Sequence, residues 1–347
     1  MKGMFKGSQK SLCNYVLGRR VIPLLKNGKS LKWLAFLALS LFLSGCGNMT
    51  VLDPKGPVAE SQAWLILFSI GFMLLIVLVV FILLTVILVK YRERDDHKGY
   101  QPDIEGSHKL EIIWTIIPVI IVIILSVPTI MTIFELEEAP AATSHKEPVV
   151  VHATSVNWKW IFSYPEEGIE TVNYLNIPTD RPILFKLTSA DSMAALWIPQ
   201  LGGQKYNMAG METQLYLQAD EVGTYAGRNA NYTGEGFADQ RFDVVALEQG
   251  DFDTWVEETQ NDAPELTQDE YDKLMVPGSA SEMTFSSTHL DWVDHSTDAE
   301  YAINAWDRMG YVPLNPHSRA GKAYEMPELT QSESGEIEGF ESQTATE

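Results

Sequence analysis

The chain has 347 residues, with 46 acidic against 25 basic side chains and a formal charge of −21. Length alone allows two or three domains, since one domain takes roughly 100–200 residues. So acidic a chain suits nucleic acid poorly, because a nucleic-acid binder needs a basic face to displace counterions from phosphate. The two cysteines are Cys13 and Cys46. Nothing after Cys46 can therefore form an internal disulfide, a Cys-ligated zinc site or a cysteine nucleophile.

The first 45 residues hold no acid and eight bases, and an apolar run over 33–43 leads into Leu43-Ser44-Gly45-Cys46. That run is too short to cross a bilayer, whose hydrocarbon needs about 20 apolar residues. A basic start, a short apolar stretch and small residues at its end read as a secretory signal. A cysteine directly after Leu-Ser-Gly resembles the bacterial lipoprotein signal, which implies removal of residues 1–45 and lipidation of Cys46, palmitate included. An uncleaved signal anchor with a free Cys46 is the alternative.

An external segment, 46–62, precedes two longer runs. Residues 63–89 carry no charge, and residues 112–134 carry none either. At a rise of ~1.5 Å per residue these reach ~40 and ~34 Å, enough to cross a membrane with tilt. Pro118 and Pro128 lie inside the second span, 111–134, where membrane helices tolerate them. The connecting loop, 90–110, holds Lys90, Arg92, Arg94, Lys98 and Lys109, whereas the far side offers Lys55 and then Glu135, Glu137 and Glu138. The basic bias places the loop in the cytoplasm and both chain ends outside.

Beyond residue 134 the pattern changes to short β runs over 149–151, 183–187, 214–218 and 242–247. Turn signals such as Pro165-Glu166-Glu167-Gly168 and Pro178-Thr179-Asp180 lie between them. Short strands at this spacing predict an antiparallel sandwich over 135–248. Residues 249–324 read as an acidic helical extension, with helices over 252–258, 268–275 and 298–309. Residues 325–347, rich in Glu, Ser and Thr, read as a disordered tail.

The run His108-Lys109-Leu110-Glu111-Ile112-Ile113-Trp114-Thr115-Ile116-Ile117-Pro118 resembles the start of the second helix in subunit II of haem-copper respiratory oxidases. Asn157-Trp158-Lys159-Trp160 is similar to that family's aromatic strand. Asp191 through Pro199-Gln200-Leu201-Gly202, then Met208-Ala209-Gly210-Met211, is similar to its metal-flanking loop, and Gly223-Thr224-Tyr225-Ala226-Gly227 to the approach to its second metal loop. The resemblance covers roughly 60–310 in the same order. It implies a membrane protein with two transmembrane helices, an extracytoplasmic all-β cupredoxin-like sandwich and the acidic helical C-terminal extension.

In the cytochrome c-oxidising branch of that family the sandwich holds a dinuclear copper centre, bound by a first His and a loop spaced Cys-x-Glu-x-Cys-x3-His-x2-Met. Carried over residue by residue, the first His position is Ala194 and the Cys positions are Asn229 and Thr233. Asn231 stands at the Glu, Phe237 at the second His and Gln240 at the Met. Soft thiolates and imidazoles suit that copper chemistry, and all six positions have lost them. Cytochrome c needs an external redox centre to receive its electron, whereas a quinol can deliver electrons to a membrane subunit directly. The pattern thus resembles the quinol oxidase branch.

The resemblance implies a non-redox subunit II of a proton-translocating terminal quinol oxidase in the cell membrane. No cofactor is expected in this chain, haems and copper being expected in subunit I. The expected partners are subunit I, smaller membrane subunits and membrane quinol through subunit I, with neither cytochrome c nor nucleic acid. Glu111, at the cytoplasmic mouth of the second span, matches an acid near the entrance of a proton path. It also reads simply as an acid favoured by the helix dipole. Trp158 and Trp160 read as core packing. His289 and His295, flanking Asp291 and Asp294, read as exposed polar residues rather than a metal site. A free-standing lipoprotein binding module with an empty cupredoxin fold is the competing reading, and the Glu111-to-Pro118 signature argues against it.

Overall fold

In the computed structural model, which describes residues 49–92, 106–310, 327–332 and 334–339, the two apolar runs are helices α1 (Pro57–Lys90) and α2 (His108–Glu135). Both are long and apolar enough to cross a membrane. They touch, and most of their remaining surface is exposed. Pro118 and Pro128 sit within α2 without ending it. The hydroxyls of Thr85, Thr115 and Thr129 donate to the carbonyls four residues back at 2.7–2.8 Å, which satisfies them where no water is at hand.

Helix α1 starts six residues before the predicted span because Pro57 opens it and its first turn belongs to the outer domain. Val58, Ala59 and Ala63 are buried, and Val58 is part of the sandwich core. The preceding chain is sewn down by backbone hydrogen bonds, Lys55 N to the Gln200 carbonyl at 2.8 Å and Asp220 N to the Lys55 carbonyl at 2.9 Å. Gly56 is needed here, since a Cβ at this position would fall inside the Gln218 carbonyl oxygen.

The outer domain is a two-sheet sandwich. Strands β1 (Val149–Val156), β2 (Lys159–Tyr164), β3 (Ile169–Val172), β5 (Ile183–Ser189) and β8 (Thr213–Leu217) belong to one sheet. Strands β4 (Tyr174–Pro178), β6 (Ala194–Trp197), β7 (Lys205–Asn207), β9 (Gly223–Asn229) and β10 (Arg241–Leu247) form the other, in the order β4-β10-β9-β6-β7. The sandwich is mixed rather than antiparallel throughout, because β1 runs parallel to β5 and β4 parallel to β10. Inward-facing residues of both sheets make the core, centred on Trp160, Phe162 and Phe242 with ring centroids 4.9–6.2 Å apart.

The region after 248 is helical where predicted, in α3 (Gln249–Asp262), α4 (Gln268–Leu274) and α5 (Tyr301–Met309). Phe252, Trp255 and Val256 of α3 share one face and pack on the main core. The extension is not helical alone. Its strand β12 (Met283–Phe285) pairs with β3 and completes a six-stranded sheet, β12-β3-β2-β1-β5-β8. The disordered-tail reading of 325–347 fails for the described residues, because β13 (Glu328–Gln331) and β14 (Ile337–Glu338) form a small sheet with β11 (Ser279–Ala280). Leu329 and Ile337 are the apolar anchors that compositional reading overlooks.

A second core lies between the outer face of the six-stranded sheet and this extension, built from Val156, Ile161 and Val172 against Tyr271, Leu274, Met275 and Tyr301. Lys159 is fully buried in it and donates to three carbonyls, Val276 at 2.7 Å, Gly278 at 3.1 Å and Asn157 at 3.2 Å. Burial pulls its pKa down to about 7, against the upward pull of Asp191. Asn157 Nδ2 adds a bond to the Met275 carbonyl at 2.6 Å.

The Gly56→Ala variant should lose about 1–3 kcal/mol of outer-domain stability, the usual cost of forcing a methyl into a packed site. Urea unfolding followed by tryptophan fluorescence reads it, and an unchanged midpoint would show that the helix–sandwich joint has slack.

Candidate functional site

The six positions that the resemblance aligns with copper ligands fall on three elements. Ala194 opens β6, Asn229 closes β9, and the other four lie on the connection to β10, with Phe237 in a 3-10 turn over Glu235–Asp239. The fold brings most of them together. Asn229 Oδ1 accepts from the backbone N–H of Ala195 and of Asn231, both at 2.9 Å, and the Asn231 amide reaches back to the Met193 carbonyl at 2.7 Å. Asn229 Nδ2 donates to Gln240 Oε1 at 2.7 Å and to Thr233 Oγ1 at 3.2 Å. Gln240 Nε2 continues to Ser155 Oγ on β1 at 2.9 Å. The Ala194 side chain is a methyl with no polar contact to make; its cross-strand neighbour is Asn207, whose buried amide donates to the carbonyls of Ala153 and Thr188 at 2.8 and 3.0 Å. Phe237 packs on Tyr232 at 5.6 Å.

The donor set is thus amides and one hydroxyl, with a methyl and a phenyl ring where imidazoles would stand. These groups do not fit a dinuclear copper centre, which calls for soft thiolate and imidazole ligands. What remains is a closed hydrogen-bond network that joins the loop to strands of both sheets. Asn229 and Gln240 are 2% and 1% exposed, so the polarity inside is matched within the protein. Sequence reasoning misses Ser155 and Asn207. Ser155 follows polar Thr154 and Asn207 follows exposed Tyr206, so neither carries a local signal of its burial.

Trp158 locks the same loop from outside. Asn157 and Trp158 form the two-residue β1–β2 turn, with φ of 41° and 72°. That geometry usually takes Asn-Gly, and holding a Trp there costs on the order of 1–2 kcal/mol. The indole is seated where a side chain on Gly236 would collide with it, and its Nε1 donates to the Thr233 carbonyl at 3.1 Å. Trp160 is fully buried core, as expected, while Trp158 is half-buried against the loop.

Glu111 lies in the first turn of α2, exposed, with Oε2 3.3 Å from His108 Nδ1. Cys46 lies outside the described residues. His289 and His295 are not exposed as the sequence suggests; each is 1% exposed. Among the described residues no group of His, Cys, Asp and Glu is arranged to hold a metal ion.

The near-isosteric Gln240→Met should lower the unfolding free energy by about 1–3 kcal/mol, because Asn229 and Ser155 lose a buried partner. Denaturant titration of the purified protein measures this, and an unchanged midpoint would show the network to be energetically idle.

A family model for the cytochrome c oxidase subunit II transmembrane domain matches residues 46–132. The quinol oxidase subunit 2 of Bacillus spizizenii is 65% identical over 293 residues, covering 84% of this chain and 91% of the relative. That of Bacillus subtilis is 64% identical over the same shares, and that of Bacillus anthracis is 54% identical over 260 residues, 74% of this chain and 89% of the relative. The periplasmic domain of cytochrome oxidase subunit II from Bradyrhizobium japonicum aligns at 23% identity over 32% of this chain and 93% of that one, with a TM-score of 0.31. That likeness is too distant to carry an argument, and the sandwich rests on the strands described above. With relatives this similar over nine-tenths of their length, two membrane-spanning helices and a sandwich outside the membrane, the chain belongs to the family of quinol oxidase subunit 2, a subunit of haem-copper oxidases.

Proposed function

We propose that this chain serves its oxidase as a subunit without a redox centre of its own: it braces the catalytic subunit and helps collect protons, while the electrons pass from membrane quinol to haems and copper held by subunit I. The observation that carries this reading is the amide network at Asn229, Thr233 and Gln240, which closes the loop with groups that bind no copper. A cytochrome c could not hand its electron to such a site. A quinol dissolved in the bilayer has no need of it.

Lipidation at Cys46 belongs to the same reading, supported by the Leu43-Ser44-Gly45-Cys46 run. One preparation tests these points together. The complex purified in mild detergent should show haem bands and oxidise quinol but not reduced cytochrome c, and this chain should begin at an acylated Cys46 by intact mass. Stoichiometric copper with a thiolate absorption band in the isolated chain would overturn the assignment, and an N-terminus retaining Trp33 would overturn the lipid anchor.

Proton collection is assigned to Glu111. Reducing oxygen to water consumes protons, and an accessible carboxylate at the cytoplasmic end of α2 can exchange them with solvent. The adjacent His108 at 3.3 Å gives it a second exchangeable group. Glu111→Ala should slow turnover per haem several-fold with assembly and haem content normal, and Glu111→Asp should keep part of the rate. If the carboxylate only complements the helix dipole, the Ala change should cost about 0.3–1 kcal/mol of stability and leave turnover unchanged. Wild-type turnover in Glu111→Ala, at saturating quinol, would end the proton-uptake assignment.

A further inference from the structure

The seam between the six-stranded sheet and the C-terminal extension carries a cluster of titratable groups that the proposed activity does not use. From the sheet come His152 on β1, Ser163 on β2 and Glu170 on β3, adjacent across the strands by register. From the extension come Tyr271 and Asp272 of α4, His289 in the 3-10 turn over His289–Asp291, Asp294, His295, and Tyr301 of α5. Glu170 is fully buried and accepts from Ser163 Oγ at 2.8 Å and from His289 N at 3.1 Å, and its Oε2 pairs with His289 Nδ1 at 2.7 Å. His289 stacks on Tyr271 at 4.5 Å, and Tyr271 Oη meets His295 Nε2 at 2.8 Å.

His295 is the odd member of this chain of contacts. Its ring lies 5.7 Å from that of His289 and takes the edge of Tyr301 at 5.5 Å. Its Nδ1 is buried with no well-aligned hydrogen bond, only the Asp298 backbone lying beside it. No carboxylate pairs with it. The neighbouring Asp294 is exposed and turned toward the Ser296 backbone, which donates to it at 2.8 Å. The buried acids of the seam are committed elsewhere, Glu170 to His289 and Asp272 to Arg308. A proton on His295 would thus be a buried charge with no counter-ion, next to a second imidazole, and such a charge is expelled or opens the structure.

We propose that this seam is an acid-sensitive latch, in which a neutral His295 is the condition for α4 and α5 to stay docked on the sheet. Burial first, and the neighbouring His289 second, pull the His295 pKa down to about 3, against weaker upward pulls from Asp294 and the Asp298 backbone. In the undocked extension it would return to the ordinary value near 6.5. The undocked form therefore binds the proton better throughout that interval. Docking is at full strength above about pH 6.5 and weakens by about tenfold per pH unit below it. His152, also lowered by burial, acts in the same direction. Tyr271 and Tyr301 are raised by burial and stay neutral across the window. The lowered Lys159 contributes a slope only above about pH 7, and the lowered Asp294 only near and below its ordinary value. The Arg308 guanidinium grips Asp272 through two bonds at 2.6 Å, and Tyr301 Oη adds one at 2.9 Å, so α4 and α5 move together.

Hydrogen exchange on the intact complex, corrected for the intrinsic pH dependence of exchange, tests the latch. From pH 6.5 to 4.5 the opening equilibrium of residues 268–274 and 289–309 should rise about 50-fold while β9 and β10 keep their protection. His295→Gln, which keeps a polar partner for Tyr271 but cannot take the proton, should cut that rise to less than about tenfold. Wild-type protection that is the same at both pH values, a full rise retained in His295→Gln, or simultaneous loss of protection in β9 and β10 would each overturn the proposal. Should His295→Gln open already at pH 7.5, the wild-type pH series alone decides. The readout is independent of quinol turnover, so its failure cannot be mistaken for failure of the oxidase assignment.

Discussion

The first turn of α1 belongs to two environments at once, and the placement of everything outside the membrane depends on it. Val58 is a residue of the sandwich core and also the second residue of a helix that goes on to cross the bilayer. The two backbone hydrogen bonds of Lys55 on one side and the missing side chain of Gly56 on the other leave no room for a flexible link. Domains joined by a linker move relative to one another by default. Here the joint is buried, so the sandwich inherits the orientation of the helix.

The loop between β9 and β10 is held closed by side-chain hydrogen bonds. Asn229 and Gln240 each donate and accept, so two side chains bridge the loop to β6 and to β1. Each bond contributes about 1 kcal/mol net, far less than a ligand bond, and the network holds because its buried members, Asn229 and Gln240, satisfy one another. Trp158 adds a mechanical clamp, and the strain of its left-handed backbone is offset by the seat that the glycines of the loop provide.

Much of this architecture is legible in the sequence. The membrane helices are, because an uncharged run of that length can satisfy its backbone in a bilayer and has too little polar surface to sit in water. Four of the strands are, β1, β5, β8 and β10, because turn residues and apolar runs mark them. That the loop between β9 and β10 offers no thiolate and no imidazole is read directly from its side chains, position by position. What the sequence leaves hidden depends on distant partners. His289 reads as a surface residue until Glu170, 119 positions away, is found beside it. The burial of Lys159 depends on carbonyls more than a hundred residues later. The tail is misleading for the same reason, since Leu329 and Ile337 find their strand partners only through β11 and through each other. Composition records what a segment is made of and is silent on what folds over it.

Strand β12 is part of the sandwich by hydrogen bonding and part of the extension by sequence. The six-stranded sheet therefore stays one strand short while the chain emerges on the far side of the membrane, until Phe285 has been delivered. During that interval β3 is an open edge, the kind of surface on which strands of other chains can pair. The extension closes that edge last. The order of synthesis thus sets the period during which this domain is vulnerable to misassembly, and the acidic surface of the emerging chain, by repelling its neighbours, shields it through that period.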